Sequence, residues 1–99
     1  MAVKILIKRK FKDGNMQAAS RFLINTRTAA MKQPGYIASE NLRSLDDSDQ
    51  VVVASMWETI EAWEAWKNSA ERKALVDEFK GYYVGEAQYE NYSLGLKLD

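Results

Sequence analysis

The chemistry open to this 99-residue chain is defined first by two absences, since it contains no His and no Cys. Thiolate nucleophiles, Cys/His metal sites, His-held haem and Ser-His-Asp relays are therefore excluded by inventory. Carboxylates, Lys, Arg, Tyr, hydroxyls, amides and indoles remain. The densest aromatic cluster among them is Trp57, Trp63 and Trp66, the last two spaced three apart as neighbours on one side of a helix. An indole offers a flat apolar face and one N–H that could hydrogen-bond a phenolate or a reduced oxygen species. The same rings also suit a packed core, and Trp57, at a strand-to-helix junction, reads as structural. Phe22, Tyr36 and Tyr89, with Ile5 and Ile7, either line a pocket for a planar ligand or fill that space. Ala19, Ala62 and Ala87 are the small residues expected to leave room. Arg21, Asn25, Asn41 and Arg72 are polar groups that could orient a ligand or simply remain solvated, and Glu40 is the carboxylate nominated as a base.

Charge narrows the partners. Fourteen Lys and Arg against fourteen Asp and Glu leave a formal net charge of zero, so no overall field recruits nucleic acid or an anionic membrane. The run Lys8-Arg9-Lys10 with Lys12 has no interleaved aromatic except Phe11 and is not read as a nucleic-acid patch; Lys4, Lys8 and Lys10 are instead expected to pair with Glu86 and Glu90 across neighbouring strands. Asp46, Asp47 and Asp49 crowd one turn but lack the EF-hand spacing, so they read as a solvated hairpin tip and no metal site is expected. The five Gly make no phosphate-cradling loop. Charges are interleaved with apolar residues in MAVKILIKRKF and no apolar run approaches a membrane span, which favours a cytoplasmic protein.

These groups need elements to position them, and the length suits a single domain over 1–99. VKILIKRKF alternates, with Leu6 the exception, and predicts a strand over 3–11. Asn15 is placed to cap a helix running from Met16 to about Lys32, with Ala19, Phe22, Leu23, Thr26, Ala29 and Ala30 as its apolar stripe, stopped by Pro34-Gly35. A strand over 36–44, the polar turn SLDDSD and a strand QVVVASMW follow. Three consecutive Val residues suggest that both faces of this last strand are buried. Thr59 caps the next helix, Ser69 a further helical segment bearing Leu75, Val76 and Phe79, and 82–96 alternates well enough for a final strand. The order β-α-β-β-α-β is the ferredoxin-like α+β arrangement, a four-stranded antiparallel sheet with two helices on one face. Its other face is left for a second sheet, most economically that of an identical chain in a homodimer.

The segment from Pro34 to Leu75, PGYIASENLRSLDDSDQVVVASMWETIEAWEAWKNSAERKAL, combines a Pro-Gly-aromatic strand start, an acidic hairpin and an apolar strand ending in Trp-Glu. A helix bearing Trp66 and an Asn-Ser before Glu-Arg complete the pattern. In these features the chain resembles the antibiotic biosynthesis monooxygenase family. The resemblance implies a dimeric α+β barrel with a pocket between helices and sheet, and, in one branch, oxygenation of acidic aromatic substrates with no metal or flavin. There the substrate anion itself reduces dioxygen. Trp66, with Glu40, would be catalytic, and Phe22, Tyr36, Asn41, Trp63, Arg72 and Tyr89 would bind the substrate, a small aromatic quinol or anthrone-like molecule. No cofactor is expected; the partners are that molecule, dioxygen and a second copy of the chain, with neither nucleic acid nor membrane. A haem-degrading branch is similar at Trp66, but its iron-holding His ten residues on is Val76 here, and its first-strand Asn is replaced by Ile7 or Lys8. An aromatic-metabolite binder without chemistry, or a dimer whose pocket has closed, are the alternatives.

Overall fold

A computed structural model describes residues 1–95. Alternation in the first strand is borne out: β1 (Val3–Phe11) buries Ile5, Ile7, Arg9 and Phe11 on one side. Helix α1 (Met16–Ala30) follows, and its buried stripe consists of Ala18, Ala19, Phe22, Ala29 and Ala30. Its start differs from expectation, because the Asn15 side chain does not cap it and instead donates from Nδ2 to the Asp13 carbonyl. The helix also ends at Ala30, two residues short of Lys32, in a turn whose amides bond the last carbonyls.

Strands β2 (Tyr36–Arg43) and β3 (Gln50–Trp57) form the expected hairpin. Thr59 and Ser69 do cap their helices, accepting from the amides of Ala62 and Arg72, so α2 (Ile60–Lys67) and α3 (Ala70–Glu78) are two capped pieces of one crossover. A single 3-10 turn, Lys80–Tyr82, leads to β4 (Tyr83–Ser93); the expected end of that strand at Leu96 lies outside the described residues. Among the described residues no helix is long and apolar enough to cross a membrane.

The sheet is antiparallel with order β2-β3-β1-β4, which is the ferredoxin-like α+β topology with all helices on one face. Two aromatic clusters lie between helices and sheet. Trp57, Trp63 and Trp66 pack with Ile5, Ile7, Ala29 and Ala30, while Phe11, Phe22 and Phe79 pack with Ala19 and Val51. Gly35 fixes the approach of α2, since its φ of +84° is one that side chains rarely adopt and a Cβ there would come within 2.6 Å of Ala62 Cβ. β4 departs from regularity opposite Arg9: from Lys8↔Gln88 to Lys10↔Val84, two residues of β1 step past four of β4, with Gly85 at a φ of +68° inside the bulge.

Within the single chain the two faces of β3 are unequally covered. Val51, Ser55 and Trp57 are buried under the helices, whereas on the far face only Ala54 is buried and Val52 and Met56 are half-covered. Val51 and Val53 thus face the cavity and Val52 the far face, with Val52 and Val53 alike half-covered in the single chain. The central position of β3, flanked by β1 and β2, made a continuous apolar run compatible with one covered face. Of the expected cross-strand ion pairs, Lys8 Nζ meets Glu90 at 3.1 Å, but Lys10 turns to Asp47 at 3.2 Å and no pair reaches Lys4 or Glu86 among the described residues.

Candidate functional site

Between α1, α2, α3 and the inner face of β2, β3 and β1 lies a cavity of about 50 Å³. Its walls are made by aromatic and aliphatic groups, with Phe22 and Leu23 from α1, Trp63 and Trp66 from α2, and Val51, Val53 and Trp57 from β3. Each is there because of periodicity. Phe22 and Leu23 face inward with Thr26 and Ala30 at helical spacing, and Val51, Val53, Ser55 and Trp57 share one side of a strand. The exposed residues at its margin, Arg27 of α1 and Asn41 of β2, mark a mouth between that helix and the edge strand. The free space suits a few waters or a diatomic gas and is smaller than the ~150 Å³ of a cavity that binds benzene, so a ring system requires these margin side chains to move.

The polar groups fall at two ends. Near the mouth, Tyr36 Oη and Ser39 Oγ lie 2.7 Å apart, close to Asn41. At the inner end are two guanidinium groups, Arg9 from β1 and Arg72 from α3, only 6% and 7% exposed. The Arg9 guanidinium lies over the rings of Phe22 at 5.1 Å and Tyr83 at 4.7 Å. Arg72 lies 5.4 Å from the Trp63 ring and donates from Nη2 to Tyr89 Oη at 3.1 Å. Neither forms an ion pair among the described residues, and the cavity lining contains no carboxylate. Burial holds the Arg9 pKa below the ordinary arginine value; the positive charge of Arg72 pushes the same way, while Tyr89 and Tyr83 oppose it.

Six of the eight expected site residues come together here: Trp66, Phe22, Tyr36, Asn41, Trp63 and Arg72 all line the cavity. Tyr89 does not line it but stands behind, with the Lys67 ammonium 4.2 Å from its ring and its hydroxyl holding Arg72. Glu40 must be corrected. It is exposed on the far face, opposite Ala54, because neighbouring residues of a strand point to opposite sides and Asn41 already faces in. The small residues that leave room are also not those expected. Ala30, Ser39 and Ser55 line the space, whereas Ala19 belongs to the second cluster, Ala62 abuts Gly35, and Ala87 only packs against the first cluster. Arg21 stays outside with its guanidinium 5.8 Å from the Phe79 ring, and Asn25 is exposed. Arg9 is the residue that sequence reading missed. Lysines on either side mask it in the sequence, although it is in phase with Ile5, Ile7 and Phe11.

The three hairpin aspartates do not converge; Asp47 accepts from the Asp49 amide and pairs with Lys10, and among the described residues no cluster of acidic groups could hold a metal ion. The Trp57 indole N–H is committed to Ser55 Oγ at 3.2 Å, which leaves Trp63 and Trp66 as the indoles available to a ligand.

Residues 2–78 match the family model for antibiotic biosynthesis monooxygenases. The chain belongs to the antibiotic biosynthesis monooxygenase family. Solved structures share its fold at low identity. A cofactor-independent oxygenase from Streptomyces nogalater, SnoaB, is 13% identical, with 98% of this chain and 96% of that one covered at a TM-score of 0.81. A candidate antibiotic biosynthesis monooxygenase from Nitrosomonas europaea is 16% identical, with 92% and 88% covered at a TM-score of 0.83. Rv0793 from Mycobacterium tuberculosis is 10% identical over the whole of both chains at a TM-score of 0.83. No curated protein matches the chain. The fold is thus shared at identities that carry no residue roles.

Proposed function

We propose that this protein is a monooxygenase that acts, with no metal or flavin, on a small aromatic quinol or anthrone-like substrate in the cavity beside Trp66. The observation that carries this reading is the cavity itself: an aromatic slot with Trp66 and Trp63 in its wall and hydrogen-bonding groups at both ends. Family membership and the fold shared with SnoaB support it. In such a reaction an ionised substrate gives an electron to dioxygen, and the radical pair joins as a hydroperoxide. Loss of water then turns a ring CH2 into a carbonyl, so one oxygen atom of dioxygen enters product and the other leaves as water. The protein's part is to exclude bulk water, orient the ring and stabilise negative charge. A homodimer formed through the far face of the sheet belongs to the same proposal. Leu42 and Tyr92 are exposed there beside half-covered Val52 and Met56, and a light-scattering mass of one chain at micromolar concentration would count against it.

The test is oxygen uptake with a panel of reduced quinones and anthrones, comparing wild type with Trp66→Phe. Expected are one dioxygen consumed per product and a rate about tenfold lower in the variant, the scale of one lost hydrogen-bond donor or less. Consumption no faster than in buffer for every substrate overturns the proposal. The absence of any carboxylate in the lining among the described residues favours one second reading, a binding protein that does no chemistry. It predicts a ligand that raises the melting temperature and is recovered unchanged under air.

A further inference from the structure

Arg9 and Arg72 pose a physical problem that the reading above does not absorb. Arginine is rarely buried unless paired, yet both guanidinium groups lie at the inner end of an apolar slot with no carboxylate against them among the described residues. The rings of Phe22, Tyr83 and Trp63 and the Tyr89 hydroxyl offset part of the cost. Those neutral partners bring no negative charge, and the positive charge of Arg72 is among the influences that hold Arg9 below its ordinary pKa.

We infer that the cavity binds an aromatic oxyanion, ionised before or on entry, whose charged oxygen lies between Arg9 and Arg72 while its ring lies against Trp63, Trp66 and Phe22. Guanidinium groups suit this task because their planar N–H forks match carboxylate and phenolate oxygens and they are shed of water easily. The inference also accounts for the missing base. With Glu40 on the far face, no carboxylate in the lining can take a proton from a phenol. Two fixed positive charges achieve the same end by making the ionised ligand the form that is held. Tyr89 is a positioning residue: fixed against Lys67, its hydroxyl orients Arg72. The opposite end of the slot lies at edge strand β2, so Tyr36, Ser39 and Asn41 select neutral polar groups on the ring's other side.

The inference deepens and rests on the assignment of this cavity as the substrate site, but its test reads ionisation of a bound probe and not oxygen uptake, so either can fail alone. The probe is 4-nitrophenol, whose absorbance changes when it ionises, with 4-nitroanisole as a neutral analogue. Wild type is expected to bind the nitrophenolate at least tenfold more tightly than the anisole and to lower the pKa of the bound phenol by a unit or more. Arg9→Gln and Arg72→Gln should each cut nitrophenolate affinity about tenfold while 4-nitroanisole binds wild type and variants alike. Arg9→Lys, which keeps the charge, should retain most of the shift. Competition by benzoate but not benzamide assigns a carboxylate as an acceptable source of the oxyanion; nitrophenolate binding that benzoate leaves untouched assigns a phenolate, and either upholds the site. Equal affinity for nitrophenolate and nitroanisole, an unshifted titration, or a charge preference surviving both glutamine variants overturns it.

Discussion

Replacing Arg9 by Met should make this protein more stable. Arg9 is 6% exposed and its neighbours are the neutral rings of Phe22 and Tyr83. Desolvating a charged side chain costs several kcal/mol even after relaxation. Two cation–π contacts in a water-poor site return roughly 2 kcal/mol each at best. Met keeps an unbranched apolar stem against the same rings and deletes the charge, so the net gain should be about 1 to 2 kcal/mol. For a domain of this size each kcal/mol moves the midpoint by about 4 to 8 °C. Urea unfolding followed by Trp fluorescence reads the change directly, because Trp57, Trp63 and Trp66 are all buried in the native state. The gain should persist in high salt, since a buried charge is poorly screened. A loss of 1 kcal/mol or more in Arg9→Met would refute the reasoning, because it would mean that the guanidinium is well satisfied in the empty protein and needs no anion. A gain in stability together with loss of oxyanion binding would mark Arg9 as a group kept for function against the interest of the fold.

Gly35→Ala should lose about 2 to 5 kcal/mol in the same urea assay, about 1 to 2 from forcing a side chain to a φ of +84° and about 1 to 3 from the overlap with Ala62 Cβ. Adding Ala62→Gly should return the overlap part less about 1 kcal/mol for a helical glycine, and a single-variant loss below 1 kcal/mol would show that α2 is free to retreat. Asp47 has its pKa lowered first by the amide of Asp49 and then by Lys10, so its contribution to stability is present above the ordinary carboxylate range and is lost as pH falls through the depressed value. Asp47→Asn keeps an acceptor for the amide but loses the charge. Its melting temperature should lie below that of wild type at pH 7 and the gap should close only as pH falls below the ordinary carboxylate range and through the depressed value, whereas a gap that stays the same size across that acid range would count against the assignment.

Strand and helix positions were legible in the sequence because period two and period 3.6 both point at one layer of contact. The caps Thr59 and Ser69 were equally plain, while Asn15 misled because its amide bonds back to Asp13, a local competition that sequence does not resolve. The site was legible wherever side-chain phase decided the outcome. Trp63 with Trp66, and Phe22, follow from helical spacing. Glu40 and Asn41, as neighbours on one strand, could never both face the cavity, and Arg9 shares the phase of Ile5, Ile7 and Phe11, a signal that the lysines on either side of it obscure. The volume of the cavity was not legible. It depends on Ala30, Ser39 and Ser55 coming from three separate elements to stand around one space, and on the closeness of α2 that Gly35 permits.

The bulge opposite Arg9 has a consequence for how this chain can change its length. Because β4 carries two residues more than β1 across that interval, Tyr83 still faces Phe11 and Phe22 when pairing resumes. Deleting one residue near Gly85 would turn Tyr83 to the far side of the sheet and strip Arg9 of the ring beneath it; deleting two would keep the side and only tighten the strand. Descendants of this sequence should therefore gain and lose residues in that stretch by even numbers. An odd-length relative would have to rebuild the inner end of its slot.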